Sequence, residues 1–279
     1  MVGSSDRRRR LERTVMASLE LKKKASRIVI PARLASTRLP EKLLLRETGR
    51  SLLEHTYGSA SRARIPSGIT VAVDHQRLFD EVVRFGGNAQ LTDPNAQSGT
   101  DRVAEVAATQ PEVDLWINVQ GDEPEISADA IDQVVGLLLQ FPDASVATLA
   151  TPIRNRENLD DPNCVKVVCD REGRALYFSR SSIPYPRNWD DSMLQCKPAL
   201  FLQHLGIYAY RREFLAVLKE LPVSPLENTE KLEQLRFLQA GFTIMVGQVE
   251  HAVRGIDTRS DYDAFLKRQL LRNARNSEV

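Results

Sequence analysis

RIVIPARLASTRLPEK, residues 27–42, is the stretch whose reading decides the fold. Ile28-Val29-Ile30 is a short β-branched run of the kind found in buried strands, and Pro31 is expected to end it. The residues that follow place Arg33, Arg38 and Lys42 in one loop, with Ser36 and Thr37 as small hydroxyl donors. Open α/β sheets bind ligands at the carboxyl ends of their strands. A strand emptying into a cationic, hydroxyl-bearing loop therefore reads as a phosphate cradle, although a solvated basic loop would carry the same residues. The stretch has neither the G-x-G-x-x-G pattern nor a G-K-[ST] ending. Its charge comes from side chains, which suits a triphosphate held by arginine forks and a lysine point charge.

Outward from this loop, strand-like segments alternate with helical ones. Strands are expected at Thr70–Val73, Ala89–Thr92, Asp114–Gln120 and Ser145–Thr151. Helices are expected at Leu52–Ala63, Gln76–Phe85, from a cap at Ser98, and at Ala128–Leu139. That alternation predicts an α/β protein with a doubly wound, mostly parallel sheet. After Thr151 the rhythm changes. Val165–Asp170 and Arg174–Ser179 flank Glu172-Gly173 as an antiparallel hairpin. Ile183–Pro198 reads as a long irregular loop of the kind that forms lids or subunit contacts. A strand from Gln203, helices near Arg212–Lys219 and Glu227–Ala240, a strand at Thr243–Gly247 and a helix from about Arg259 to Arg275 complete the chain.

At 279 residues, 42% hydrophobic and 27% charged, the composition is that of a soluble globular chain. No apolar run reaches membrane-span length, and no secretory signal pattern is present. Cys164, Cys169 and Cys196 lack metal-ligand spacing and read as reduced thiols of a cytoplasmic protein. Of the 38 Lys/Arg and 37 Asp/Glu, residues 1–24 hold eight and three, which leaves 30 and 34 for the rest. Residues 1–26 thus read as a basic, mobile extension in which Met16 offers an internal start, and 27–279 as a single domain with a lobe at about 163–202. A slightly acidic body argues against nucleic-acid binding, so an anionic ligand must be met by local clusters.

Beyond the loop, Asp122 in VQGDEP stands just past an apolar strand, where a carboxylate suits Mg²⁺ completed by substrate phosphates. Gln120 beside it can hydrogen-bond a sugar or base; an ordinary Gly-Asp-Pro turn would look the same. Asp257 in GIDT is a second metal-ligand candidate, with plain helix capping as the alternative. In QHLGIYAY, His204, Gly206 and Tyr208 share one strand face, which suits either a polar ligand or a buried, satisfied histidine. Glu230, Glu233 and Gln234 fall on one side of the helix expected at Glu227–Ala240, as a sugar-binding or merely solvated face. No G-x-S-x-G elbow, H-E-x-x-H or zinc spacing supports other chemistries.

IPARLASTRLPEK, QSGTDRVAEV, INVQGDEP, ATLATPI, ALYFSRSSIPYPR, HLGIYAY, LEQLR and GIDT occur in that order. Together they resemble the 3-deoxy-D-manno-octulosonate (KDO) cytidylyltransferases over nearly all the chain except the N-terminal extension. The resemblance implies a Rossmann-like nucleotide-diphospho-sugar transferase fold with an antiparallel dimerisation lobe. It implies CMP transfer from CTP to the anomeric hydroxyl of KDO, with Mg²⁺ as cofactor and a homodimer as the assembly. Arg33, Arg38 and Lys42 would contact the CTP phosphates, and Asp122 and Asp257 would ligate Mg²⁺. Arg102 would meet the sugar carboxylate, with Gln120, His204, Tyr208, Glu233 and Gln234 around its hydroxyls. Ser36 and Arg180 are further nucleotide and sugar candidates. The product would feed lipopolysaccharide inner-core synthesis in the cytoplasm. An 8-amino KDO or sialic acid cytidylyltransferase, or a non-catalytic nucleotide binder of the same fold, are the competing readings. Two positions depart from the family pattern: Glu41 stands where Gly is usual, and Arg259 where Pro is common. A carboxylate at 41 would repel a triphosphate unless it points away or meets metal.

Overall fold

The computed structural model describes residues 25–250 and 255–277, with side chains as far as Arg272. Among them one sheet contains β1 (Ser26–Ala32), β2 (Ile69–Val73), β3 (Ala89–Leu91), β4 (Leu115–Asn118), β5 (Val146–Pro152), β6 (Lys166–Cys169), β7 (Ala175–Ser179), β8 (Leu202–Arg211) and β9 (Ile244–Gln248). The main path runs β3-β2-β1-β4-β8-β5-β9. Pairings among β3, β2, β1 and β4, and between β5 and β9, are parallel, whereas β8 runs antiparallel between β4 and β5. The sheet is therefore α/β and mostly parallel, as the alternation predicts, with one reversed strand at its centre.

Period-two alternation sorts the core into two layers. Ile28, Ile30, Ile117 and Ala209 face helices Leu52–Ala60, Gln76–Arg84, Ala128–Gln140 and Arg259–Ser277. Val29, Trp116 and Tyr210 face helices Gly99–Ala108, Arg212–Leu218 and Gln234–Gln239. Each large side chain withdrawn from water this way contributes about 1.5–3 kcal/mol. Ser98 caps its helix reciprocally with Asp101, at 3.1 Å and 2.9 Å, and so fixes where that helix begins.

Four expectations need correction. Pro31 does not end β1; it pairs with Ala72 of β2, beyond Val29, the last β1 residue paired with β4, so no ladder bond to β4 is lost at its nitrogen. The helix from Leu52 ends at Ala60, three residues early. The helix expected over Glu227–Ala240 is two, Pro225–Glu230 and Gln234–Gln239, broken where Lys231 adopts a left-handed backbone (φ 54°). Ile183–Pro198 is not wholly irregular: Asp191–Gln195 forms a 3-10 turn that inserts Leu194 among Ile153, Leu159, Cys164 and Phe201. The hairpin β6–β7 forms as expected and joins β8 through Lys166 and Val167. The basic extension lies, through residue 24, outside the described residues, while Ser26 already belongs to β1.

Candidate active site

Strand polarity brings three loops to one end of the sheet. β1 and β4 are parallel, so residues 33–42 and the turn at Gln120–Asp122 emerge side by side. Gly121 is required there: a Cβ would lie 2.9 Å from the Pro31 carbonyl oxygen. Helix Leu52–Ala60 grips the same turn, with Thr56 Oγ1 donating to Gly121 O at 2.8 Å and Ser59 Oγ to Pro124 O at 2.6 Å. Ile256 N donates to Asp122 O at 2.9 Å, which draws Asp257 alongside. Thr258 and Asp261 cap the last helix between themselves, at 3.2 Å and 2.8 Å. Capping thus leaves the Asp257 carboxylate free to face the cleft.

Lys42 joins the three loops. Its Nζ donates to Asp122 Oδ2 at 2.6 Å, Asp257 Oδ1 at 2.8 Å and Ile256 O at 2.9 Å, which uses all three ammonium hydrogens. Burial opposes the charge on Lys42, but the Asp122 and Asp257 carboxylates outweigh it and hold the amine above the ordinary lysine range. Arg38 Nη2 lies 2.9 Å from Asp257 Oδ2. Arg33 donates to Ala96 O at 2.5 Å. Arg33, Ser36, Arg38, Lys42, Gln120, Asp122 and Asp257 line a common cleft of about 320 Å³.

Two carboxylates that share one cation present hard oxygens to a single point, a donor set that fits Mg²⁺. Among the described residues no cluster of three or more His, Cys, Asp or Glu side chains surrounds a possible metal. A metal here would accordingly take its remaining ligands from phosphate and water, as Mg²⁺ commonly does.

Glu41 adopts φ 49° and ψ 32°, the left-handed region that glycine enters most easily. Its carboxylate turns outward, where Arg77 Nη1 and Nη2 donate to its two oxygens at 2.5 Å and 2.8 Å. The Arg77 hydrogen bond holds the Glu41 carboxyl below its usual range. Arg259, the other departure, forks onto Glu47 at 2.6 Å and 2.9 Å and leaves Asp257 where the metal reading needs it.

A family description of cytidylyltransferase matches residues 27–244. A 3-deoxy-manno-octulosonate cytidylyltransferase from Rhodopirellula baltica is 51% identical over 242 residues, 86% of this chain and 97% of the relative. The enzyme of the same name from Syntrophotalea carbinolica is 44% identical over 84% of this chain and 94% of its own. The chain belongs to the 3-deoxy-manno-octulosonate cytidylyltransferase family. A solved CMP:2-keto-3-deoxy-manno-octonic acid synthetase complexed with CTP superposes with a TM-score of 0.80 at 39% identity, covering 92% of this chain and 100% of that one. A 4-diphosphocytidyl-2C-methyl-D-erythritol synthase from Anaerococcus prevotii, at 14% identity and TM-score 0.57 over 89% of this chain and 99% of its own, shares the fold alone.

In this cytidylyltransferase the residues expected around the sugar are placed less uniformly. His204 and Tyr208 do share a face of β8, with ring centroids 5.4 Å apart. Thr148 Oγ1 donates to Ile207 O at 2.8 Å and lies 3.0 Å from His204 Nε2. Burial pushes the His204 imidazole down to about 3, so it is neutral at physiological pH. Burial likewise raises Tyr208, and the neighbouring Tyr210 and Glu233 add to the effect.

Glu230 does not share a helix face with Glu233 and Gln234, because the break at Lys231 separates it from them. Glu230 accepts from Ser179 Oγ at 2.6 Å and Arg180 N at 2.9 Å. Glu233 accepts from Thr100 Oγ1 at 2.5 Å; burial raises its carboxyl against the Thr100 and Ser98 hydrogen bonds that lower it. Gln234 is buried. Arg180 donates to Glu230 O at 2.7 Å and Pro162 O at 2.9 Å, which ties the helix break to the lobe. Arg102 is wholly buried, donating to Thr92 Oγ1 at 2.7 Å and Asp93 O at 2.9 Å, with Asp74 3.6 Å away.

Sequence reasoning missed Asp74, which accepts from Leu34 N at 2.9 Å and so anchors the start of the phosphate loop. Its place directly after β2 was the available signal. It also missed Thr56 and Ser59, whose grip on the Gln120–Asp122 turn follows from helix packing rather than from a motif.

Proposed function

We propose that this protein transfers the cytidylyl group of CTP to the anomeric hydroxyl of KDO and releases pyrophosphate. The observation that carries the reading is the convergence of Arg33, Arg38 and Lys42 with Asp122 and Asp257 on one cleft. The sugar oxygen attacks the α-phosphorus as the bond to the bridging oxygen breaks, the hydroxyl proton passes to solvent, and negative charge grows on the departing pyrophosphate. Fixed positive charge aimed at that leaving group stabilises the transition state without a covalent enzyme intermediate. Arg33, Arg38 and Lys42 supply it. Asp122 and Asp257 would hold Mg²⁺, which when bound neutralises phosphate charge at that point. A neutral His204 would hydrogen-bond a sugar hydroxyl, and Gln120 lines the cleft beside the phosphate loop.

The outward Glu41 carboxylate, held by Arg77, supports a triphosphate in this loop and a catalytic rather than a non-catalytic reading. On this reading the enzyme works in the cytoplasm and its product feeds lipopolysaccharide inner-core assembly. Leu176, Tyr185 and Leu200 of the lobe are exposed, at 60%, 85% and 41%, and such apolar exposure supports a homodimer formed through the lobe. Light scattering should give twice the 31.4 kDa chain mass; a monomer removes the dimer. Pyrophosphate release with KDO, 8-amino KDO and sialic acid, each with CTP and Mg²⁺, tests the reaction and its sugar. KDO should be the best acceptor; preference for another acid would overturn the sugar and retain the phosphate cleft.

A further inference from the structure

Glu41 is the residue of the phosphate loop that the reaction does not use, and its charge has the wrong sign for the ligand. It precedes Lys42 in sequence and borders a groove with Ser36, Thr37, Asp74 and His75. Its left-handed backbone sets the direction in which Cβ leaves the loop, and its half-exposed side chain is free to swing unless a partner holds it. Arg77 meets it from the start of helix Gln76–Arg84, where the Arg77 N–H donates to His75 Nδ1 at 3.1 Å. A two-pronged arginine–carboxylate contact fixes orientation as well as charge.

Resting on the reading that the cleft takes a nucleoside triphosphate, we propose that Arg77 is a positioning residue for the phosphate loop. It captures the Glu41 carboxylate, cancels its charge and keeps it turned away from the triphosphate. Arg77 does not line the phosphate cleft and need not touch the nucleotide. The loop is thereby held from two sides: Lys42 is fastened inward to Asp122 and Asp257, and its neighbour Glu41 outward to the helix. Without Arg77, an unpaired carboxylate would stand one residue from the lysine that must greet the phosphates.

The test is a double-mutant cycle of Arg77→Ala and Glu41→Gln, read by calorimetric CTP binding and by KM and kcat. Arg77→Ala should weaken CTP binding on the order of three- to tenfold at low salt, the scale of one partly screened charge. KM for CTP should rise in parallel while kcat at saturating CTP stays within about twofold. High salt should shrink the difference, and the double variant should return to wild-type affinity because no charge remains to be hidden. Wild-type affinity in Arg77→Ala, or a double variant as weak as Arg77→Ala alone, would overturn the proposal. Calorimetry needs no turnover, so a wild type that binds CTP but ignores KDO removes only the sugar assignment. A wild type that binds no CTP overturns both.

Discussion

The two halves of the candidate site are built on opposite terms. On the phosphate side, Arg38, Lys42, Asp122 and Asp257 come from loops far apart in sequence and find their partners across a cleft. Among the residues expected at the sugar, Arg180 and the Nη1 of Arg102 donate to carbonyl and hydroxyl groups of the protein itself, while Arg102 Nε and Nη2 are buried without a hydrogen-bond partner, and Gln234 is buried. A charged side chain that faces a cleft can trade its partner for a ligand at little structural cost. One already committed to several polar groups of the protein cannot do so without leaving those groups unpaired. Substitutions on the phosphate side should therefore cost activity first, and those at Arg102 and Arg180 should cost stability first.

The largest effect expected among the phosphate-loop cations is at Lys42. Lys42→Met should lower kcat/KM on the order of 10²–10³-fold, the scale of a lost transition-state charge contact. Without metal the variant should also melt lower, because Asp122 and Asp257 then face each other with no cation between them; added Mg²⁺ should close that gap. A melting temperature that ignores Mg²⁺ would separate these carboxylates from metal binding.

Arg102→Met should destabilise the fold by about 3 kcal/mol in urea unfolding, by stranding Asp74 and the polar groups around it. A raised KM for KDO at unchanged stability would instead move Arg102 to the ligand side of the comparison.

His204 gives a pH test. The unfolded chain takes up a proton near 6.5 that the folded imidazole refuses until about 3. Stability should thus fall as pH drops through that window and be indifferent to His204 above it. Between pH 6.5 and 5 the loss is about 2 kcal/mol at most. His204→Gln should flatten this limb of the stability curve; an unchanged limb would assign it to other groups.

The smallest effect expected is at Thr56, where Thr56→Val removes one bond to Gly121 O and should cost about 1 kcal/mol. A several-fold fall in kcat should accompany it as the Asp122 turn loosens.

The legibility of the sequence follows the same division. Strand-ending motifs announced Arg33, Arg38, Lys42 and Asp122, because the ends of the parallel strands β1 and β4 meet at one edge of the sheet, whereas Asp257 was read from its GIDT motif and is drawn in by the Ile256–Asp122 backbone bond. The face shared by His204 and Tyr208 was legible from strand period alone, even though a bulge opposite Thr148 and Leu149 interrupts the pairing there. Helix period failed at Glu230, Glu233 and Gln234, since nothing local announces that Lys231 will turn left-handed while Arg180 takes the carbonyls of Glu230 and, at 3.5 Å, Lys231. The antiparallel placement of β8 between β4 and β5 was equally hidden, because strand order depends on long-range pairing. Glu41 looked like a conflict in the sequence and is resolved by Arg77, 36 residues away.

Pyrophosphate release from CTP, Mg²⁺ and KDO, by wild type beside Asp122→Asn, tests the central claim most directly. The wild type should release one pyrophosphate per CMP-KDO formed and stop when Mg²⁺ is chelated. The variant should be slower by about 10³-fold, the scale of a lost metal contact at developing charge, while remaining folded at the assay temperature. Wild-type rates in Asp122→Asn, or no release by a wild type that binds CTP, would contradict the account.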